Sequence, residues 1–160
     1  MSAHIKSGFT LIELLVVISI IGILATLVAA NLNAARSRAR DAERKSDLRS
    51  LATSLRLYYN DVGRYPCSDG SFQIRACGVQ AACASVTACT WGVSPWQVGG
   101  TTYMSNFPDD PLAVSGVHYR YTYVDDDNYT LDACLENVSD ANGIAAGAWC
   151  TSGKMFEVKP

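Results

Sequence analysis

The chain has 160 residues, 49% of them hydrophobic, and a formal net charge of −2. That is room for one domain plus an anchor. The charge is uneven: residues 1–61 hold eight Lys/Arg and five Asp/Glu, whereas residues 62–160 hold five and ten. An acidic C-terminal part excludes a strongly basic nucleic-acid-binding domain there.

From Phe9 to Ala30 the sequence is apolar except for Glu13 and a few small polar residues. At about 1.5 Å per residue this run makes roughly 33 Å of helix, enough to cross a bilayer core. A secretory signal peptide has a shorter apolar core and a small-residue cleavage site behind it. Here the helical pattern simply continues. Glu13 is the anomaly. A lone carboxylate at that depth costs about 2.5–3.5 kcal/mol, so it needs a partner and a purpose.

A short basic leader ending in Gly, then Phe-Thr-Leu-Ile-Glu, then an apolar run, resembles the type IV pilins and pseudopilins. The matching residues are Lys6, Gly8, Phe9, Thr10, Leu11, Ile12 and Glu13. The resemblance implies that a prepilin peptidase cuts between Gly8 and Phe9 and that the new Phe9 amine is N-methylated. It also implies that Glu13 pairs with the Phe9 amine of a neighbouring subunit. The organisation it implies is a leader over 1–8, a transmembrane and filament-core helix over 9–32, and an exported head over 33–160. Many type IV pilins carry a proline where this chain has Ala30; the flexible Gly22 is present.

The topology signals conflict. Arg36, Arg38 and Arg40 follow the apolar run, while only His4, Lys6 and the amino terminus precede it. The positive-inside rule alone would leave the head in the cytoplasm. The cysteines and the resemblance point the other way: precursor in the inner membrane, then a cell-surface or periplasmic filament.

From Asn33 to Val62 the pattern stays helical. Leu48, Leu51, Ala52, Leu55, Tyr58 or Tyr59, and Val62 form one apolar stripe. Asp41–Lys45 and Arg44–Asp47 have spacings that support the polar face. Gly63 is a C-terminal stop and Pro66 prevents continuation. The expectation is one helix from about residue 9 to 62, near 80 Å long by its rise. The segment Arg36–Arg56 is basic; its charges are expected to meet neighbouring subunits rather than DNA or anionic lipid.

Residues 67–106 are rich in Gly, Ser, Ala, Thr and Cys with weak periodicity, and read as a disulfide-pinned connecting loop that has room for a short helix or strand. Residues 106–111 carry turn chemistry. Then the period becomes two. Val117, Tyr119, Tyr121 and Tyr123 alternate with polar residues; after a turn at Asp125–Asn128, Tyr129, Leu131, Ala133 and Leu135 do the same. This predicts a β-hairpin with one apolar face. Residues 148–151 and 155–158 are candidates for further strands. The fold class is α+β: a long N-terminal helix whose C-terminal half packs on a small antiparallel sheet.

All six cysteines follow the apolar run. An even number in an exported head reads as a disulfide framework. Cys134 and Cys150 lie close in sequence and many pilins staple this region, so the resemblance pairs them; Cys67, Cys77, Cys83 and Cys89 can pair among themselves in three ways.

Little supports catalysis, a cofactor or a metal. His118 sits alone in a strand, the cysteine spacings contain no C-x-x-C knuckle, and Asp125–Asp127 and Asp109–Asp110 lack EF-hand spacing. Asn128-Tyr-Thr130 and Asn137-Val-Ser139 match glycosylation acceptors and indicate surface exposure only. The chain therefore reads as a structural subunit of a type IV pilus filament. Two alternatives stand beside it: a pseudopilin of a type II secretion-like or DNA-uptake system, and a single-pass membrane-anchored binding module. Its partners would be identical or related pilin subunits, prepilin peptidase, the assembly machinery and, before assembly, the membrane.

Overall fold

The computed structural model describes residues 10–77, 87–93 and 95–160. Gly8, Phe9 and Cys83, with the side chain of Cys77, lie outside the described residues. The chain divides into two units, Met1–Ser37 and Arg38–Pro160. One helix, α1, covers Leu11–Val62 and contributes to both.

In the first unit α1 carries its apolar side chains into solvent: Leu11, Ile12, Ile18, Ile21, Ile23 and Leu24 are all exposed. Among the described residues it is a helix long and apolar enough to cross a membrane. In water such a surface is unstable, so a lipid or protein environment must cover it. The apolar helix and the motif ahead of it thus fit membrane insertion.

In the second unit α1 buries one stripe. Leu48, Leu51, Leu55 and Tyr58 are each at most 2% exposed. The helix ends where Gly63 takes φ +79° and its N–H bonds to Tyr59 O at 2.7 Å, a left-handed termination that favours glycine. The principal sheet has four antiparallel strands: β6 (Arg120–Asp125), β7 (Asn128–Cys134), β8 (Ile144–Ala145) and β9 (Lys154–Val158) in the order β6-β7-β9-β8. The β6–β7 hairpin registers Tyr121 opposite Leu131 and Tyr123 opposite Tyr129. Tyr121, Tyr129, Leu131 and Ala133 face the α1 stripe in one core, so the two periodicities, 3.6 and 2, meet across it.

Two expectations need correction. Residues 148–151 are a turn, not a strand: Cys150 N–H bonds to Gly147 O at 3.1 Å and Gly153 N–H to Cys150 O at 3.0 Å. Backbone groups closed locally cannot join a ladder, and the edge position beside β9 goes to Ile144–Ala145. Residues 67–106, read as a connecting loop with room for a short helix or strand, hold more than one such element. They contain β1 (Cys67–Ser68), β2 (Ile74–Cys77) and β3 (Thr87–Ala88) in a small sheet, then the hairpin β4 (Trp96–Val98) and β5 (Thr101–Met104). These strands are too short to show a period; side-chain bonds fix them instead. Trp96 Nε1 donates to Ala76 O at 3.1 Å, and the Tyr121 hydroxyl donates to Pro66 O at 2.6 Å.

Candidate assembly site and the charged cluster of the head

At the start of α1 the sequence Thr10-Leu-Ile-Glu13 forms a capping box. Thr10 N–H donates to Glu13 Oε2 at 2.8 Å, the Thr10 hydroxyl donates to the same oxygen at 2.6 Å, and Glu13 N–H donates back to Thr10 Oγ1 at 3.3 Å. A Thr N-cap with Glu three residues on satisfies two orphan amides of a helix end. In a lone subunit the Glu13 carboxylate is therefore occupied by its own chain. Beyond Thr10, the apolar side chains of Ile12, Val16 and Val17 line the surface beside Glu13.

The second concentration of charge lies in the head. Arg44 is 0% exposed and Asp41 2%. Arg44 donates to Asp110 through two nitrogens, to Asp41 Oδ1 at 2.7 Å and to Glu136 Oε1 at 2.8 Å. Asp41 in turn accepts the backbone N–H groups of Glu136 and Asn137, at 2.9 and 2.8 Å. Arg40 completes the set with a bidentate grip on Glu136. That grip, followed by the Arg44 bonds, holds the Glu136 carboxyl down at about 2. Burial opposes the Arg44 charge, but the bonds to Asp110 and Glu136 more than offset it and raise its pKa. The Tyr119 hydroxyl, pushed up by burial and by the Asp47 carboxylate, donates to Asp47 Oδ2 at 2.7 Å.

Arg44, expected with the rest of its segment to meet neighbouring subunits, is instead wholly buried among carboxylates of the head. Arg40 and Lys45 also form ion pairs within the head, the first with Glu136 and the second with Asp140. The signal was present: the stripe 62-58-55-51-48 continues in phase to 44 and 41. Counting apolar residues alone stops it at Leu48. Asp110 of the acidic pair has both oxygens on Arg44, and Asp109 lies 2.9 Å from His118 Nδ1.

Cys134 and Cys150 are joined by a disulfide with Cα atoms 5.4 Å apart. It places Trp149 beside β6, where the Arg120 guanidinium carbon lies 4.8 Å from the Trp149 ring centroid and 3.4 Å from that of Phe72. Phe72 itself has φ +59°. Asp69 Oδ1 holds this strained turn by accepting from Ser71 and Gln73, and Tyr121 N–H bonds to Phe72 O at 2.9 Å. Cys67 and Cys89 are each disulfide-bonded.

The model of the prokaryotic N-terminal methylation motif matches residues 4–29. Over 148 residues the chain is 30% identical to the type II secretion system core protein G of Vibrio cholerae serotype O1, covering 90% of this chain and 92% of that protein. The chain belongs to the core protein G family of pseudopilins. It is also 34% identical to the core protein G of Pectobacterium carotovorum over 110 residues, which span 69% of this chain and 64% of that relative, less than two thirds of its length. A 58-residue match, 40% identical, links it to the type IV major pilin protein PilA of Myxococcus xanthus, over 26% of that protein. No solved structure matches. The pseudopilin family and its pilin relatives are structural subunits. Because the core protein G match covers nearly the whole chain and the pilin match about a third of it, the pseudopilin reading has more behind it than the pilus reading.

Proposed function

We propose that this chain is a pseudopilin, cut between Gly8 and Phe9, held in the inner membrane by its apolar helix, and polymerised through that helix into a periplasmic fibre of a type II secretion-like machinery. Its partners are further copies, related minor subunits, the prepilin peptidase and the assembly machinery. The observation that carries the reading is Glu13, one carboxylate in an otherwise apolar and exposed helical surface. An ordinary membrane anchor has no need of it, which sets aside the membrane-anchored binding module. During assembly the apolar helix moves from lipid into the fibre core. There Glu13 exchanges its Thr10 partners for the Phe9 amine of a neighbour. The next basic residue in the mature chain, Arg36, is 23 residues on, about 34 Å along a helix. Only the Phe9 amine is near in depth, so the pair selects one stagger where Leu, Ile and Val would accept several.

Co-expression with a prepilin peptidase and an assembly system tests this. Fibres of mature chains beginning at Phe9 are expected, and Glu13→Ala should insert and fold but give few or none. Fibres at wild-type yield from Glu13→Ala would defeat the reading. A type IV pilus subunit remains the second reading, favoured by the Myxococcus xanthus match; surface-exposed rather than periplasmic fibres at native expression would select it.

A further inference from the structure

A groove of about 160 Å³ runs between α1 and β9, lined by Arg49, Ala52, Thr53, Arg56, Val158 and Lys159. Arg49, Thr53 and Arg56 recur at helical spacing on one exposed face of α1. Ala52 and Thr53 are short, so they make a low floor between two long cationic side chains. The Arg49 guanidinium carbon lies 5.6 Å from the Phe156 ring centroid, which anchors it at the rim. Among the described residues neither Arg49 nor Arg56 forms an ion pair, whereas Arg40, Arg44 and Lys45 of the same helix do. Lys159 bonds to Glu157 and stays 60% exposed. The groove is thus a concave cationic surface whose Arg49 and Arg56 have no carboxylate at ion-pair distance.

The head also presents the complementary shape. Asp125, Asp126 and Asp127 are exposed at the tip of the β6–β7 hairpin. The turn is stiffened from within: Asp125 Oδ1 accepts from Asp127 N–H and Asn128 Nδ2, Asp126 Oδ1 from the Tyr123 hydroxyl, and Asp127 Oδ1 from the Tyr59 hydroxyl. Among the described residues every one of these bonds ends on Oδ1, which leaves the three Oδ2 atoms to outside donors. A rigid projecting triad of carboxylates and a cationic groove make a complementary pair with little to order on contact.

We propose that the Arg49/Arg56/Lys159 groove of one copy receives the Asp125–Asp127 turn of a second copy of this chain. The proposal rests on the pseudopilin reading and adds a second contact to it. The contact is exposed, so added salt weakens it.

Fibres assembled from an equal mixture of unlabelled and nitrogen-15-labelled full-length chains test the contact. A zero-length carbodiimide joins a lysine amine to a touching carboxylate. Mixed-isotope peptides linking Lys159 to Asp125, Asp126 or Asp127 are expected; linkage of Lys159 only to Glu157 of its own copy, or to another segment of a neighbour, overturns the proposal. Independently, the double variant Arg49→Glu/Arg56→Glu should lower fibre yield about tenfold, because like charges then face each other. It should lower the thermal melt of the head only slightly, since both side chains are exposed and the Arg49–Phe156 contact lies at the surface. Adding Asp126→Lys should restore the yield. Wild-type yield from the double variant, with Glu13→Ala still inactive, removes the groove and leaves the pseudopilin reading standing. Absence of fibres from the wild-type chain beside an active peptidase removes both.

Discussion

Arg44 and Asp110 form a two-point ion pair in which both side chains are wholly buried: Nε meets Oδ2 at 2.7 Å and Nη2 meets Oδ1 at 2.9 Å. The pair fastens the turn after Phe107 to the middle of α1. Asp110 Oδ1 also accepts the Leu112 N–H at 2.8 Å, so the same carboxylate shapes its own loop. Buried pairs of this kind add little net stability compared with apolar residues, because desolvation offsets the attraction. Losing one partner is another matter.

Arg44→Met is expected to destabilise the head by about 3–5 kcal/mol, since it strands Asp41 and Asp110 as buried charges without a cation. Urea unfolding of the full chain in detergent checks this. The double variant Arg44→Met/Asp110→Asn should recover part of the loss. Equal losses in the single and double variants would show that the arginine acts by packing alone.

Two carboxylates give the head opposite pH responses. Glu136 is held at about 2, below its ordinary 4.5, first by Arg40. Its stabilising effect is complete above pH 4.5 and disappears as pH falls towards 2. Asp132 is pushed up to about 6 from 3.8 by burial and then by Glu157 across the strand pair. For a raised carboxyl the native state holds the extra proton, so stability falls as pH rises from about 4 to 6. Melting temperature should therefore peak near pH 4 to 5. Asp132→Asn should remove the decline above that peak, and Glu136→Gln should flatten the rise below it.

The apolar run, the stripe from Leu48 to Val62 and the β6–β7 hairpin could be read from sequence because each repeats a period over many residues. Asp41 and Arg44 occupy the same stripe but are charged, so a hydrophobicity pattern hides them. Their partners Asp110 and Glu136 lie 66 and 92 residues from Arg44, and no local rule joins such positions. The short strands β1 to β5 escaped for a related reason. Two to four residues cannot display alternation, and the bonds that fix them, such as Trp96 to Ala76 O, are tertiary.

Replacing Cys134 and Cys150 with serine is expected to cost about 3 kcal/mol, the chain-entropy value for a closed loop of some 15 residues. The loss has a local signature, because the bridge holds Trp149 beside Arg120. Tryptophan fluorescence should report looser packing before the head unfolds. An unchanged spectrum together with an unchanged melt would show that the turn at Gly147–Cys150 is held by its backbone bonds alone.

The capping box supplies the sharpest separation of what Glu13 does. Both Glu and Gln serve at the third helical position, because either side chain accepts the N-cap N–H. Glu13→Gln therefore keeps the cap on Thr10 while removing the charge. If the cap were its whole contribution, worth about 0.3–1 kcal/mol at a helix start, Gln would assemble nearly as well as Glu. If the carboxylate is what meets the Phe9 amine of a neighbour, Gln loses the charge attraction that selects the stagger, and fibre yield should fall about as far as with Glu13→Ala. Cleavage after Gly8 and helix content in the membrane should be the same for Glu, Gln and Ala, since neither depends on the subunit contact. Counting fibres by electron microscopy at matched membrane levels of mature protein gives the answer. Gln at wild-type yield beside an inactive Ala would assign Glu13 to the cap and end the pairing argument.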